Sequence, residues 1–393
     1  MLRSLTTAVS GLRAHQTMLD VTGNNIANVN TIGFKASRTV FDSTLSEMLQ
    51  EPSAGGNGNG GINPSQVGLG TRVAAVSTDL TQGATQVTSR TLDMMINGDG
   101  YFVVSQGGEQ LYTRNGAFGL DGAGNLVTAT GAIVQGWSAR AGVVDTNLPI
   151  GNITLPLSAT RPASQTHNAT VGGNLPADGK ETLVRTIDVY DARGTASALT
   201  VTFTPDVDAA TGATTGWSVS VDGGTAQPLA FGTDGTLTSP TTMTNAAGIV
   251  VDLSAMTGFA KLSTVEVSHQ DGMAAGKLSS FSLHSDGTVV GVFSNGEEQV
   301  VGMLALASFG NAGGLEDAGD SMMRTSANSG APQVGAPSTG SRGSLTGGAL
   351  EGSNVDLSQE FTNMIIAQRG FQANSRVITT SDQVLQELVN LVR

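Results

Sequence analysis

The sequence predicts an α+β protein in which an N-terminal and a C-terminal helix pair as a coiled coil and carry two mainly-β domains in series. Two observations predict it. Apolar residues recur in alternating steps of three and four at both ends of the 393-residue chain, the spacing of a helix with one buried stripe. Between those ends, Val/Thr-rich runs are separated by Asn-Gly and Asp-Gly dipeptides, the pattern of strands joined by tight turns.

The first seam runs through Leu5, Ala8, Leu12, His15, Leu19, Thr22, Ile26 and Val29, with Gly33 as the expected stop. The second runs through Leu357, Phe361, Met364, Gln368, Phe371, Ser375, Ile378, Asp382, Leu385, Val389 and Val392, preceded by Ser353, Asn354 and Asp356 as N-cap candidates. Helical from 355 to 393, it would run roughly 58 Å at about 1.5 Å per residue. Neither helix can bury its stripe alone, so each is the other's natural partner. Polar seam residues set register at a cost in stability. The candidate assembly residues are therefore Leu5, Leu12, Leu19 and Ile26 with Leu357, Phe361, Met364, Phe371, Ile378 and Leu385.

Residues 1–34 and 354–393 form the expected helical domain. Segments 35–71 and 326–353 read as connectors, because EPSAGGNGNGGINP (51–64) and 326–348 are rich in Gly, Ser, Asn and Pro. An inner β-domain is expected over 72–147 and 271–325, with hairpin turns at Asn97-Gly98, Asp99-Gly100, Asn115-Gly116, Asp121-Gly122, Asp286-Gly287 and Asn295-Gly296. An outer β-domain, inserted into the inner one, is expected over 148–270, with strands at 185–190, 199–204 and 217–221.

Composition narrows the function. With 53 glycines and 4% aromatic residues the core is lean, yet 39% hydrophobic content is too high for a disordered chain. A formal charge of −13 argues against nucleic acid as a partner. The absence of cysteine excludes disulfides and thiolate chemistry. The N-terminal residues lack the pattern of a cleaved secretory signal, and no apolar run is long enough to span a bilayer.

Catalytic and cofactor motifs point nowhere. Gly56-x-Gly58-x-x-Gly61 matches a dinucleotide fingerprint only formally, since no βαβ unit surrounds it. Asp121–Asn125 resembles the start of a calcium loop, but Ala123 holds a ligand position and a β-turn is the expectation. His15, His167, His269 and His284 show no metal-ligand spacing, and no G-x-S-x-G elbow occurs. No catalytic residue, metal site or cofactor is expected.

Several phrases carry a family likeness. AVSGLRAHQTMLDV (8–21) and GNNIANVNTIGFK (23–35) resemble the N-terminal signature of bacterial flagellar rod and hook proteins, and 350–391 resembles their C-terminal signature nearly throughout. MINGDGYFVV (95–104), YTRNGAF (112–118) and 270–299 are similar to their inner β-domain. The extra β-rich block and the hook-like 270–299 phrase favour the hook over the distal rod, which is the runner-up.

The resemblance implies a structural, non-enzymatic subunit that leaves the cell through the flagellar export apparatus without a cleaved signal. It implies polymerisation beneath a hook cap into a curved extracellular tube, a universal joint between motor and filament. Its partners are copies of itself, then the distal rod and hook–filament junction proteins. Phe41-x-x-x-Leu45 resembles the family's export-gate pattern; local packing over one helical turn explains the pair equally well. A secreted adhesin or carbohydrate-binding module would share the Thr/Gly-rich strands but leaves the paired seams unexplained.

Overall fold

A computed structural model describes residues 2–52, 61–140, 142–155, 160–211 and 213–391. Most of the Gly56–Gly61 fingerprint and the seam residue Val392 lie outside them. The chain divides into two compact units. Unit 1 is Met1–Leu155, Ser282–Val290 and Val300–Arg393, and unit 2 is Pro156–Phe281 with Gly291–Gln299.

Unit 1 contains both helices, α1 (Leu2–Ala27) and α2 (Leu357–Leu391). α1 stops six residues before Gly33, in a polar turn where Asn28 Nδ2 donates to Asn24 Oδ1 at 2.7 Å and Thr31 Oγ1 donates to Asn28 Oδ1 at 3.0 Å. α2 starts at an Asp356 cap, whose Oδ1 accepts the Ser358 N–H at 2.8 Å.

The expected connector 35–71 is largely strand. Ser37–Ser43 pairs antiparallel with Thr71–Thr78, and Ser46–Gln50 pairs with Ser65–Gly68, making a two-stranded arm. The expected connector 326–353 is also threaded into sheets. Gln333–Gly335 pairs with Leu306–Ser308, Ser344–Gly347 with Met94–Asn97, and Ala349–Glu351 with Thr85–Val87. Composition misleads here because Leu345, Ala349, Leu350 and Glu351 are all buried, and the small residues around them permit close strand packing.

The β-core of unit 1 centres on Tyr101–Gln106, whose first four residues are buried on both faces of the sheet. Ile133–Ser138 pairs along one edge of it and Glu109–Thr113 along the other. The latter hairpin turns on Gly107-Gly108, both at positive φ (61° and 88°), a backbone that glycine adopts without steric cost. Of the four expected turns between 97 and 122, Asp121-Gly122 closes a hairpin, pairing Leu126 with Leu120. Asn97-Gly98 does not, because Met94–Asn97 pairs with a distant strand. The Asp121 carboxylate is consumed within its turn, accepting from Ala123 N, Asn125 N and Asn125 Nδ2 at 2.7–2.9 Å.

Unit 2 packs two sheets around one apolar cluster that includes Leu199, Val201, Phe203, Trp217, Val251 and Leu253. One sheet runs Leu183–Tyr190, Ala196–Val207, Thr214–Val221, Gln227–Phe231, Leu237–Ser239. The other runs Thr242–Thr244, Val250–Thr257, Asn168–Asn174, Glu266–Gln270. Alternation is clean in Ala196–Val207, where Leu199, Val201 and Phe203 are buried and their neighbours are not. The boundary falls after Leu155 rather than at 148, because Ile153 and Leu155 are buried in unit 1 and the Trp137 indole N–H donates to Leu148 O at 2.8 Å. The return falls after Phe281 rather than at 270, because Gly276 and Lys277 pair with Arg161 and Thr160.

Hydrogen bonds within turns lower the pKa of three aspartates of unit 2. Backbone N–H donors hold the carboxyls of Asp191 and Asp208 below the usual 3.8, and the Thr236 hydroxyl and N–H do the same for Asp234. Because folding lowers these pKa values, their stabilisation is complete above the unfolded value and is lost as pH falls through the folded ones. Urea midpoints of unit 2 should therefore fall as the pH drops from about 5 through the ordinary carboxylate range and below it. Asp191→Asn should flatten that slope, and an unchanged slope would contradict the assignment.

Candidate functional site

The two helices of unit 1 lie side by side and antiparallel. Asn25 of α1 meets Glu360 of α2, and a methyl added at Gly370 would lie 2.5 Å from the His15 ring. One added at Gly11 would lie 2.9 Å from the Asn374 side chain. Residue numbers thus fall on α2 as they rise on α1. Small residues sit where the helices cross: Gly11 faces Asn374 and Gly370 faces His15. Short side chains let helix axes draw together.

The ten expected seam residues are placed unevenly. Leu5, Leu12, Leu19 and Ile26 are half-buried, as are Met364, Phe371, Ile378 and Leu385. Leu357 and Phe361 are exposed, Phe361 at 50%. The buried stripe in that first stretch of α2 passes through Glu360 instead, because its carboxylate accepts the Asn25 amide at 3.2 Å. The Asn25 amide also brackets the start of the arm, donating to Ser37 O at 2.7 Å and accepting from Ser37 N at 2.9 Å.

α2 is longer than α1, 35 residues against 26. It continues from Ser375 to Leu391 beyond the Asn374 crossing, against Leu2–Ser10 on the α1 side, so its last turns extend past the end of α1. It also carries a second apolar stripe. Ile366, Val377, Val384 and Leu388 fall within about 40° of one another round the helix and are all exposed, Ile366 at 52% and Leu388 at 47%, while the exposed Phe361 and Ile365 lie on the other flank.

The helix pair is tied to the β-core by a buried ionic cluster. The Glu351 side chain is fully buried, and its Oε1 accepts from Lys35 Nζ at 2.5 Å and from Gly83 N at 3.0 Å. Its Oε2 lies 3.3 Å from Arg114 Nη1, and its backbone oxygen accepts the Gly33 N–H at 2.8 Å. Lys35 Nζ also donates to Thr81 O at 2.7 Å, and Arg114 stacks 5.3 Å from the Tyr101 ring centroid. Burial lowers the Lys35 pKa, opposed by the hydrogen bond and charge of Glu351. Asn354, expected as a cap, is instead a staple: Oδ1 accepts from Ala36 N at 2.8 Å and Nδ2 donates to Asp79 O at 2.9 Å.

Sequence periodicity missed Asn25, Lys35, Arg114, Glu351 and Glu360 because it scores large apolar residues. Asn25, Lys35, Glu351 and Glu360 all lie within the 23–35 and 350–391 phrases. Phe41 and Leu45 do not share a helical turn. Phe41 lies on a strand, 6.0 Å from the His15 ring, and Leu45 follows that strand at 82% exposure. Among the described residues no cluster of three His, Cys, Asp or Glu is placed to hold a metal, and no helix is long and apolar enough to cross a membrane.

Removing the shared anion should be costly. Glu351→Gln strands two buried cations and is expected to destabilise unit 1 by about 3–5 kcal/mol. Lys35→Met combined with Glu351→Gln should cost less than the sum of the single changes. Urea unfolding followed by circular dichroism checks both, and additive costs would contradict a shared cluster.

Comparison with known proteins places this geometry. Residues 5–35 match the model for flagella basal body rod proteins, 95–174 that for the flagellar hook protein FlgE/F/G D1 domain, and 346–391 that for the flagellar basal body rod FlgEFG protein C-terminal region. The flagellar hook protein FlgE of Borreliella burgdorferi is 36% identical, with both chains fully covered. That of Escherichia coli strain K12 is 35% identical over 98% of each chain. The flagellar basal-body rod protein FlgG of Bacillus subtilis is 34% identical, again over all of both chains. The two helices, the arm and the staple residues all lie within these matched lengths, and the chain belongs to the flagellar rod and hook protein family.

Proposed function

We propose that this chain is the structural subunit of the flagellar hook, polymerising into a curved tube that transmits motor torque to the filament as a universal joint. The observation that carries it is the second apolar stripe of α2. One face of that helix is used by α1, and Ile366, Val377, Val384 and Leu388 remain for other copies. A repeated contact that does not close into a ring builds an open helical filament. Full-length similarity to hook proteins supports the same reading.

In this account α1 and α2 act as a coiled coil lining the inner tube, with the ten seam residues at its interfaces and the β-units outside. The subunit works outside the cell, in the hook and basal body. It leaves through the export apparatus, with Phe41 and Leu45 offered to the export gate while the chain is unfolded. It then assembles beneath a cap, between the distal rod and the hook–filament junction. Its role is mechanical, with no catalytic step and no cofactor.

A distal rod subunit is the second reading. The rod protein FlgG of Bacillus subtilis matches over its full length, so size alone does not separate the two. Tube shape does: a hook subunit forms curved tubes and a rod subunit straight ones.

Ile366→Asp and Leu388→Asp discriminate best, because both positions are about half exposed in the free chain. The monomer should keep its circular dichroism, while burial of an unpaired carboxylate in the tube costs several kcal/mol per subunit and abolishes sedimentable polymer. Glu387→Gln, off that stripe, should assemble normally. Normal tubes from Leu388→Asp would sink the assembly role of this face.

A further inference from the structure

Unit 2 presents an ordered apolar loop. Among its described residues the exposed large apolar side chains are Val184, Val207, Phe259 and Leu262. Phe259 and Leu262 share the short loop 258–263, at 51% and 53% exposure. The loop is held by one buried amide. Asn174, 3% exposed, donates from Nδ2 to Phe259 O at 2.9 Å and Leu262 O at 2.6 Å. Its Oδ1 accepts the Phe259 N–H at 2.7 Å and the Thr257 hydroxyl at 2.9 Å.

Between the two apolar residues, Lys261 takes a positive φ of 65° and gives its N–H to Asp178 Oδ1 at 2.9 Å. The Phe259 ring rests on Gly235, where φ is 79° and a side chain would overlap it. A lysine backbone in the left-handed region persists only where its surroundings over-determine it. Stabilising an exposed apolar loop this firmly gains little core burial for the monomer. Pre-organised aromatic and aliphatic anchors are what interfaces use, because ordering them in advance removes a cost of association.

Charge identifies the occupant. Lys261 forms no ion pair among the described residues. Residues 156–281 and 291–299 contain 13 Asp and Glu against 6 Lys and Arg, so a cation flanked by apolar groups is complementary to the surface of the same unit. In a polymer of one chain that surface recurs beside every subunit, and the inference rests on that hook reading. We propose that the 258–263 loop of one copy docks on the acidic surface of unit 2 in a neighbouring copy, with Phe259 and Leu262 as anchors and Lys261 between them. The contact is heterologous, as an open helical array requires.

The chain has no cysteine, so Leu262→Cys supplies a unique thiol for a benzophenone cross-linker. Irradiated tubes should yield links from position 262 to residues 156–281 or 291–299 of another copy, and irradiated monomer should yield none. Adding Lys261→Glu should lower that yield several-fold. In parallel, the unlabelled double variant Phe259→Ser/Leu262→Ser should raise the critical concentration for assembly several-fold with an unchanged circular dichroism spectrum. Links confined to unit 1, or a double variant with unchanged critical concentration and tube curvature, would overturn the proposal. Failure of the unsubstituted chain to form tubes would instead overturn the hook reading.

Discussion

Glu351 is the constraint on which unit 1 depends. Withdrawing a carboxylate from water costs several kcal/mol unless its charge is paired and its remaining lone pairs are filled. Here one carboxylate is filled by Lys35, Arg114 and Gly83, brought from three places far apart in sequence. None of the three can leave without stranding charge. That requirement fixes the chain just after α1 and just before α2 against the same β-core. The Gly33 N–H bond to Glu351 O, the Asn354 staple and the Asp356 cap then follow within a few residues. The helix pair therefore projects from a defined root.

From that root the helices are matched more by size than by hydrophobicity. Gly11 and Gly370 leave room for Asn374 and His15 at the crossing, and the longer Leu, Ile and Phe side chains are left half-buried or exposed. A two-helix contact of this kind buries little apolar surface on its own. In the proposed tube, further copies packing on α2 add to that burial and couple the stability of the helical part to assembly, while each unit has an apolar β-core of its own.

The sequence carried the two terminal helices, the mainly-β middle and the strands at 185–190, 199–204 and 217–221 of unit 2, because each is written in local periodicity. Ala196–Val207 alternates so regularly that Leu199, Val201 and Phe203 declare one buried face. It misread both connectors. Ala349–Glu351 and Ser344–Gly347 look like linker by composition, yet each pairs with a strand more than 200 residues earlier. Long-range pairing leaves no local signature. The site was half visible: periodicity located the helical stripes, but it carries no signal for Lys35, Arg114 and Glu351, which only the fold brings together.

An electron cryo-microscopy reconstruction of tubes assembled from the unsubstituted chain tests the central claim most directly. The account predicts curved tubes in which Ile366, Val377, Val384 and Leu388 of α2 are covered by helices of neighbouring copies, while Lys35, Arg114 and Glu351 keep the contacts they make in the free chain. A tube in which that stripe faces the water-filled lumen, or in which the Lys35–Glu351 pair is broken, would contradict it.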